Sequence, residues 1–199
     1  MAGTAYAWKT ANVAQNYGWL WRGCAIPGAG ARPTLHTDGS PDATAHPSAV
    51  HMGATKEGAK LMVKGAFDKF SVDEFRGAII TNIGGVEVGI SAELVGVTDQ
   101  QLMAYLLPGI GTRATGSGYD YVTIGAKAIA YDCLLLTFPL IEDTSKFGWF
   151  QIYSGLNDTG VEWAQGRKQL GFTPVSLMAY EVTSRAVGDT LGQFGKQIA

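Results

Sequence analysis

The stretch from Val86 to Leu94 alternates strictly between apolar residues and polar or small ones. The apolar positions are Val86, Val88, Ile90, Ala92 and Leu94. Because successive side chains of a strand point to opposite faces, this pattern predicts a strand with one buried and one polar face. A sheet with one apolar face must bury that face against another layer. The alternation therefore favours a layered β architecture.

Other segments of the chain are also typical of strands. They are residues 60–64, 67–73 and 78–83 before this strand, and 128–141, 149–156 and 175–179 after it. Gly84-Gly85 indicates a two-residue hairpin between Ile83 and Val86. The glycine-rich residues 111–118 are typical of turns. The tail from Ser184 onward is predicted to be loosely held, because it contains repeated glycines.

One helix is predicted over residues 98–107. Thr98 is a good N-cap, Gln101 three residues later completes a capping box, and Asp99 falls in the first turn. An apolar stripe follows at helical spacing, at Leu102, Tyr105 and Leu106. Pro108-Gly109 ends the helix. The sequence thus predicts a mainly β fold, a β-sandwich or barrel of two packed antiparallel sheets with one flanking α-helix.

The first 55 residues differ in composition from the rest. Residues 1–21 form a polar and aromatic arm, and residues 22–55 are dense in glycine, proline, alanine, threonine and histidine. A long loop with so many breakers is usually functional or ordered by a partner. We therefore expect an arm and long inter-subunit loop over residues 1–55, and a single β-sandwich domain over 56–199.

The balance of charge limits the partners. Charged residues make up 16% of the 199, against about 25% in a typical domain, and the formal net charge is -2. The sequence contains no cluster of basic residues that could bind a phosphate backbone. No apolar run approaches the length of a transmembrane segment. Either other subunits cover much of the surface, or Ser, Thr, Gly and Gln coat it. We favour the first interpretation, because obligate interfaces resemble a core cut in half.

No set of residues forms a recognisable catalytic or metal centre. His36, Asp38, His46 and His51 are irregularly spaced in a segment of breakers, so histidines without a ligand role are the better interpretation. Cys24 and Cys133 belong to no CxxC pair, and without a signal peptide at the first residues we expect two reduced, packed thiols. We expect no enzymatic activity and no cofactor.

Several short sequence motifs, in a fixed order along the chain, resemble those of a known family. Gly-Ala-Thr-x-x-Gly at residues 53–58 opens a strand, and Leu-x-Gly-Val-Thr-x-x-Gln-Leu at 94–102 opens the helix. Residues 168–182 and the glycine-rich 184–193 follow as a penultimate strand and a closing segment. Across most of residues 50–194 the chain resembles the major tail tube proteins of long-tailed bacteriophages.

The resemblance implies hexameric rings that stack into a hollow tube in the virion tail, assembled in the host cytoplasm. It implies further copies of the chain, a tape measure protein and tail-end proteins as partners, with no membrane. Genomic DNA would pass through without specific binding. The long loop and the terminal arms would reach the neighbouring ring, and our inter-ring candidates are Pro27, Gly28, Arg32, His36, Asp38, Pro41 and His46.

A channel that transmits DNA must not bind phosphates, because each lysine or arginine contact releases counterions and favours sticking. The polar face of the best strand is our candidate lining, with Glu87, Ser91 and Glu93 facing the channel. Two alternatives remain open. One is a ring-forming tail terminator, distal-tail or contractile-system tube protein. The other is a monomeric β-sandwich binding module.

Overall fold

The computed structural model describes residues 18–71, 78–95, 99–140, 143, 145–162, 164–166 and 169–197. Side chains are described in these ranges except at residues 67–71, 78–84, 164–166 and 169–171. The elements, in chain order, are β1 Trp19–Arg22, β2 Val50–His51, β3 Thr55–Ser71, β4 Ala78–Val95, α1 Gln100–Leu106, β5 Gly111–Gly116, β6 Tyr119–Ile124, β7 Asp132–Pro139, β8 Phe147–Asn157, β9 Ala164–Gly166, β10 Gln169–Ala179 and β11 Gly192–Lys196.

In the described part of the chain, nine strands form one antiparallel sheet, and β5 pairs with β6 in a second, small sheet. The main order is β2-β1-β7-β8-β10-β4-β3, while β11 pairs with β8 and β9 pairs with β10. Only three register pairs, at Gly155–Asn157 of β8, join β10 to β8. The main sheet therefore has two halves joined at this corner. The predicted mainly β architecture with one helix is confirmed, and it is consistent with a β-sandwich.

The main core lies between the two halves of the sheet. One half contributes Leu20 of β1, Leu134 of β7 and Ile152 of β8, each 0% exposed. The other half contributes Ile90 of β4 and Leu177 of β10. The alternation predicted along β4 is confirmed at Val88, Ile90, Ala92 and Leu94, which are buried in this core, whereas Val86 is exposed.

The half made of β1, β7 and β8 is buried on both faces. Its outer face carries a second cluster, Trp21, Cys24, Cys133, Leu135 and Trp149, against which Leu35 and Ala49 of the loop pack. Leu134, Leu135 and Leu136 of β7 are consequently all buried. Strands that are buried on both faces have near-continuous apolar runs, which explains why β7 shows no alternation.

The N-cap of the helix lies one residue later than predicted. Asp99 is the N-cap, and its Oδ1 accepts a hydrogen bond from Gln101 N at 2.8 Å. The capping box built on Thr98 is therefore wrong, and Thr98 itself lies outside the described residues. The predicted helix at 98–107 is confirmed as α1, whose buried residues are Leu102, Met103 and Leu106.

The predicted hairpin at Gly84-Gly85 is wrong. Strand β4 runs through both glycines, Gly85 pairs with Ala66, and Ile83 pairs with Phe67. This register leaves Gly84 without an opposite residue, which is the geometry of a β-bulge. A glycine pair inside a strand pattern can indicate a bulge as well as a turn, and the register decides between the two.

Two glycine-rich segments that were predicted as irregular contain strands. Residues 111–118 form β5 and the turn to β6, with Ser117 and Gly118 at φ 46° and 82°. Positive φ at both central residues is the hairpin turn that fits the right-handed twist of strands. The tail is not loose, because β11 pairs with β8 from Gly192 to Lys196.

The predicted arm also differs from the structure at its end. Residues 19–21 belong to β1, which pairs with β7 in the main sheet. Residues 1–17 lie outside the described residues. Gly23, directly after β1, has φ 69°, and a Cβ there would lie 2.4 Å from Ser48 O. Glycine at this position lets the loop pass close to the end of β1.

Replacing Gly23 with alanine should destabilise the fold more than the matched change at Gly30. Both residues have φ near 70°, but a Cβ at Gly30 would meet nothing within 4 Å. The Gly30→Ala variant should lose about 1 kcal/mol of unfolding free energy, the cost of left-handed backbone, and Gly23→Ala about 3 kcal/mol or more. Urea unfolding measures both, and equal losses would contradict a steric role for Gly23.

Candidate functional site

Strands β3 and β4 pair as a long ribbon of 17 and 18 residues. Residues opposite each other in a pair share one face of a sheet. Leu61 lies opposite Ile90, and Val63 lies opposite Val88. Ile90 and Val88 are 1% and 7% exposed, whereas Leu61 and Val63 are 46% and 56% exposed. The apolar face that forms the core therefore continues onto β3 without a cover.

The same face continues along the ribbon beyond the sandwich. Val86 lies two residues before Val88 on β4, and its side chain is 47% exposed. Ala59, at the other end, packs against the main core. We call Leu61, Val63 and Val86 the apolar strip. Contiguous exposed apolar surface of this kind is typical of an interaction site.

The outer edge of β3 is open. β3 is the last strand of the main sheet, and no other strand in the described part of the chain pairs with its outer side. Unpaired backbone N–H and C=O groups on an edge are a template for a strand from another chain. The ribbon thus combines an open edge with an uncovered apolar strip.

The opposite face of the ribbon is polar, as predicted. Its β4 residues Glu87, Ser91 and Glu93 are all exposed. The cross-strand register adds lysines that analysis of β4 alone missed. Lys64 lies opposite Glu87, Lys60 lies opposite Ser91, and Lys56 Nζ lies 3.2 Å from Glu93 Oε2. The face therefore carries both signs of charge, and it is not the acidic surface that β4 by itself suggested.

The long loop is folded on its own chain. Asp42 Oδ1 accepts hydrogen bonds from Thr44 N at 2.8 Å and Ala45 N at 3.0 Å, and these bonds hold the pKa of the carboxyl below its usual range. Leu35 bridges to Pro41 in an antiparallel pair. The protomer itself supplies these contacts, and the role of the loop between subunits stays a prediction.

The seven inter-ring candidates divide by exposure. Pro41 and His46 are buried inside the protomer, so neither offers a surface to a neighbour. Gly28 and Arg32 are exposed, while the partly exposed ones are Pro27, His36 and Asp38. These five stay as predicted contacts of the loop surface.

His46 is a structural residue of the loop. It is 4% exposed, and its Nδ1 accepts a hydrogen bond from Ala25 N at 3.0 Å. Burial lowers the pKa of the imidazole, with Asp42 opposing the shift. A neutral ring with Nδ1 as the acceptor matches this environment.

Cys24 and Cys133 are free and buried, as predicted, and the structure places them close together. Cys24 N donates to Cys133 O at 3.2 Å across the end of β1 and β7. Burial raises the pKa of the Cys133 thiol to about 12 and raises that of Cys24 as well. Thiols in such an environment are poor nucleophiles.

Within the described ranges, no group of three or more His, Cys, Asp or Glu residues could hold a metal ion. α1, the one helix in the same ranges, has seven residues and is too short to cross a membrane. No protein-family model matches the chain, and no curated protein matches its sequence.

Acidification should destabilise the protein through His46. The folded state lowers the pKa of His46 below the ordinary value of 6.5, so below that pH the unfolded chain binds more protons. Stability from this group is present above pH 6.5 and declines as the pH falls below it. Urea unfolding at pH 7.5 and pH 5.5 (about one unit either side of the reference value) should show a smaller loss for His46→Gln than for wild type. Equal losses would contradict this role.

Proposed function

We propose that the chain is a structural subunit that assembles with copies of itself into stacked rings, forming the tail tube of a long-tailed bacteriophage. The six-fold symmetry, the tape measure and tail-end partners, and the place in the virion tail come from the family resemblance. The resemblance also supplies the role as a conduit for genomic DNA. We propose no catalytic role for any residue.

The observation that carries this proposal is the β3–β4 ribbon. Its apolar strip and the open edge of β3 need a cover, and a second copy of the chain can provide one. A head-to-tail contact between copies forms a ring when the rotation closes, and closure pairs every edge. Burying an apolar side chain of this size contributes about 1.5–3 kcal/mol at most.

The polar face of the ribbon supports a conduit in a modified form. Glu87, Ser91 and Glu93 stay our candidates for the channel lining, accompanied by lysines of β3. The ion pair between Lys56 and Glu93 leaves less free positive charge for a passing phosphate backbone. A density map of the assembled protein that places Glu87 and Glu93 away from the channel would reject this assignment.

Concentrating the purified protein should produce rings and tubes of variable length. Size-exclusion chromatography and negative-stain electron microscopy measure this directly. Discrete rings that never elongate would reject the tube and favour a tail terminator or distal-tail role. A stable 21.1 kDa monomer at every concentration would reject self-assembly and favour the binding module.

Charge placed in the apolar strip should block assembly. Val63→Lys and Val86→Lys should each raise the protein concentration needed for rings by about tenfold or more, because an ammonium group is costly to bury. Val187→Lys is the matched control, since Val187 is fully exposed on a separate loop. Light scattering against concentration measures the threshold. Assembly of both strip variants at the wild-type threshold would show that this face is not the interface.

A further inference from the structure

A cleft of about 670 Å³ opens between β3 and the end of β7. Most of its wall is apolar, from Ala59, Leu61, Leu136, Phe138, Pro139 and Leu140. Gly18 and Gly58 complete it, together with two charged residues, Glu57 and Lys196. Leu61 and Phe138 are 46% and 36% exposed, although both line this one cavity. Apolar side chains in a shared cavity gain free energy when a further apolar group displaces the water.

The chain itself leads into the cleft. Gly18 is the first described residue, and it is part of the wall. Seventeen residues of the sequence precede it. At about 3.3 Å per residue, the ten residues from Trp8 to Gly18 can span roughly 33 Å. The tether keeps the effective concentration of this segment at the cleft far above that of any separate partner.

The composition of residues 1–17 suits an apolar cleft. Lys9 is the one charged side chain among them, and five of the seventeen residues are alanine. The larger apolar and aromatic side chains are Met1, Tyr6, Trp8, Val13 and Tyr17. Trp8 offers the most surface to bury, and an aromatic ring fixes few rotatable bonds when it does so.

We propose that residues 1–17 dock into this cleft of their own chain, with Trp8 packed against Leu61 and Phe138. The proposal goes beyond the tube function and does not depend on it. Val63 and Val86 of the apolar strip do not line the cleft, so docking leaves them for contacts between copies.

Trypsin cleavage after Lys9 tests the docking in the full-length protein. Lys9 is the first basic residue of the sequence, and Arg22 is the next. A docked segment must leave the cleft before the protease can cut it, so the cleavage rate reports the docking equilibrium. Intact-mass measurement follows the chain that has lost residues 1–9. Each rate is divided by that of the free 1–17 peptide with the same substitution, which removes any effect of Trp8 on the protease.

Trp8→Ala and Leu61→Ser should each raise the normalised rate about tenfold, equivalent to about 1.4 kcal/mol of docking free energy. Val63→Ser is the matched control, because Val63 lies on the same strand and face but outside the cleft, and its rate should equal that of wild type. The rate should also not change on dilution, because the segment and the cleft belong to one chain.

Two results would overturn the proposal. One is a wild-type rate as high as that of Trp8→Ala. The other is protection that grows with protein concentration, which would assign the segment to the cleft of a second copy. Electron microscopy of the same samples separates this outcome from the tube function. Rings in which trypsin cleaves readily after Lys9 would contradict only the docking proposal. Protection of Lys9 in a protein that forms no rings would contradict only the assembly proposal.

Discussion

The structure depends on a sheet half that is buried on both faces. β1, β7 and β8 present Leu134 to the main core and Leu135 to the loop side, and both are 0% exposed. The outer burial requires the loop, whose backbone is tied in by Gln151, with Nε2 donating to Ala25 O at 3.1 Å. Trp21 Nε1 likewise donates to Thr137 Oγ1 at 3.3 Å, which satisfies the indole N–H of this buried tryptophan. Without the loop, an apolar sheet face would meet water.

This arrangement also bears on the low fraction of charged residues. The loop forms a third layer, and this layer buries additional apolar residues inside the protomer. The low charged fraction of 16% therefore does not by itself require that other subunits cover the outer surface. The stronger indication of self-association is local. Leu61 and Val63 continue the core face at an open sheet edge, where the opposite half of the sandwich does not cover them. A specific uncovered face is better support for assembly than a global composition.

The loop and the ribbon differ in how far their polar groups and apolar side chains are satisfied within one protomer. The loop makes its own hydrogen bonds, places His46 and Pro41 inside, and leaves only a partial surface for neighbours. The ribbon leaves both backbone groups and apolar side chains unsatisfied along one edge. Contacts between copies are therefore expected first at the ribbon, with the exposed residues Gly28 and Arg32 of the loop as a secondary surface.

The alternating strand at 86–94, the helix near 98–107 and the mainly β class could all be predicted from the residues alone, because periodicity and helix capping are local properties. Three features could not be predicted in this way and emerged only from the fold. Gly84 lies in a bulge, Leu134 to Leu136 are buried on two sides, and Lys60 and Lys64 lie opposite Ser91 and Glu87. Each of these depends on which strands pair and in which register. Register is a long-range choice, fixed by the total burial of a whole sheet and invisible in any short window of residues.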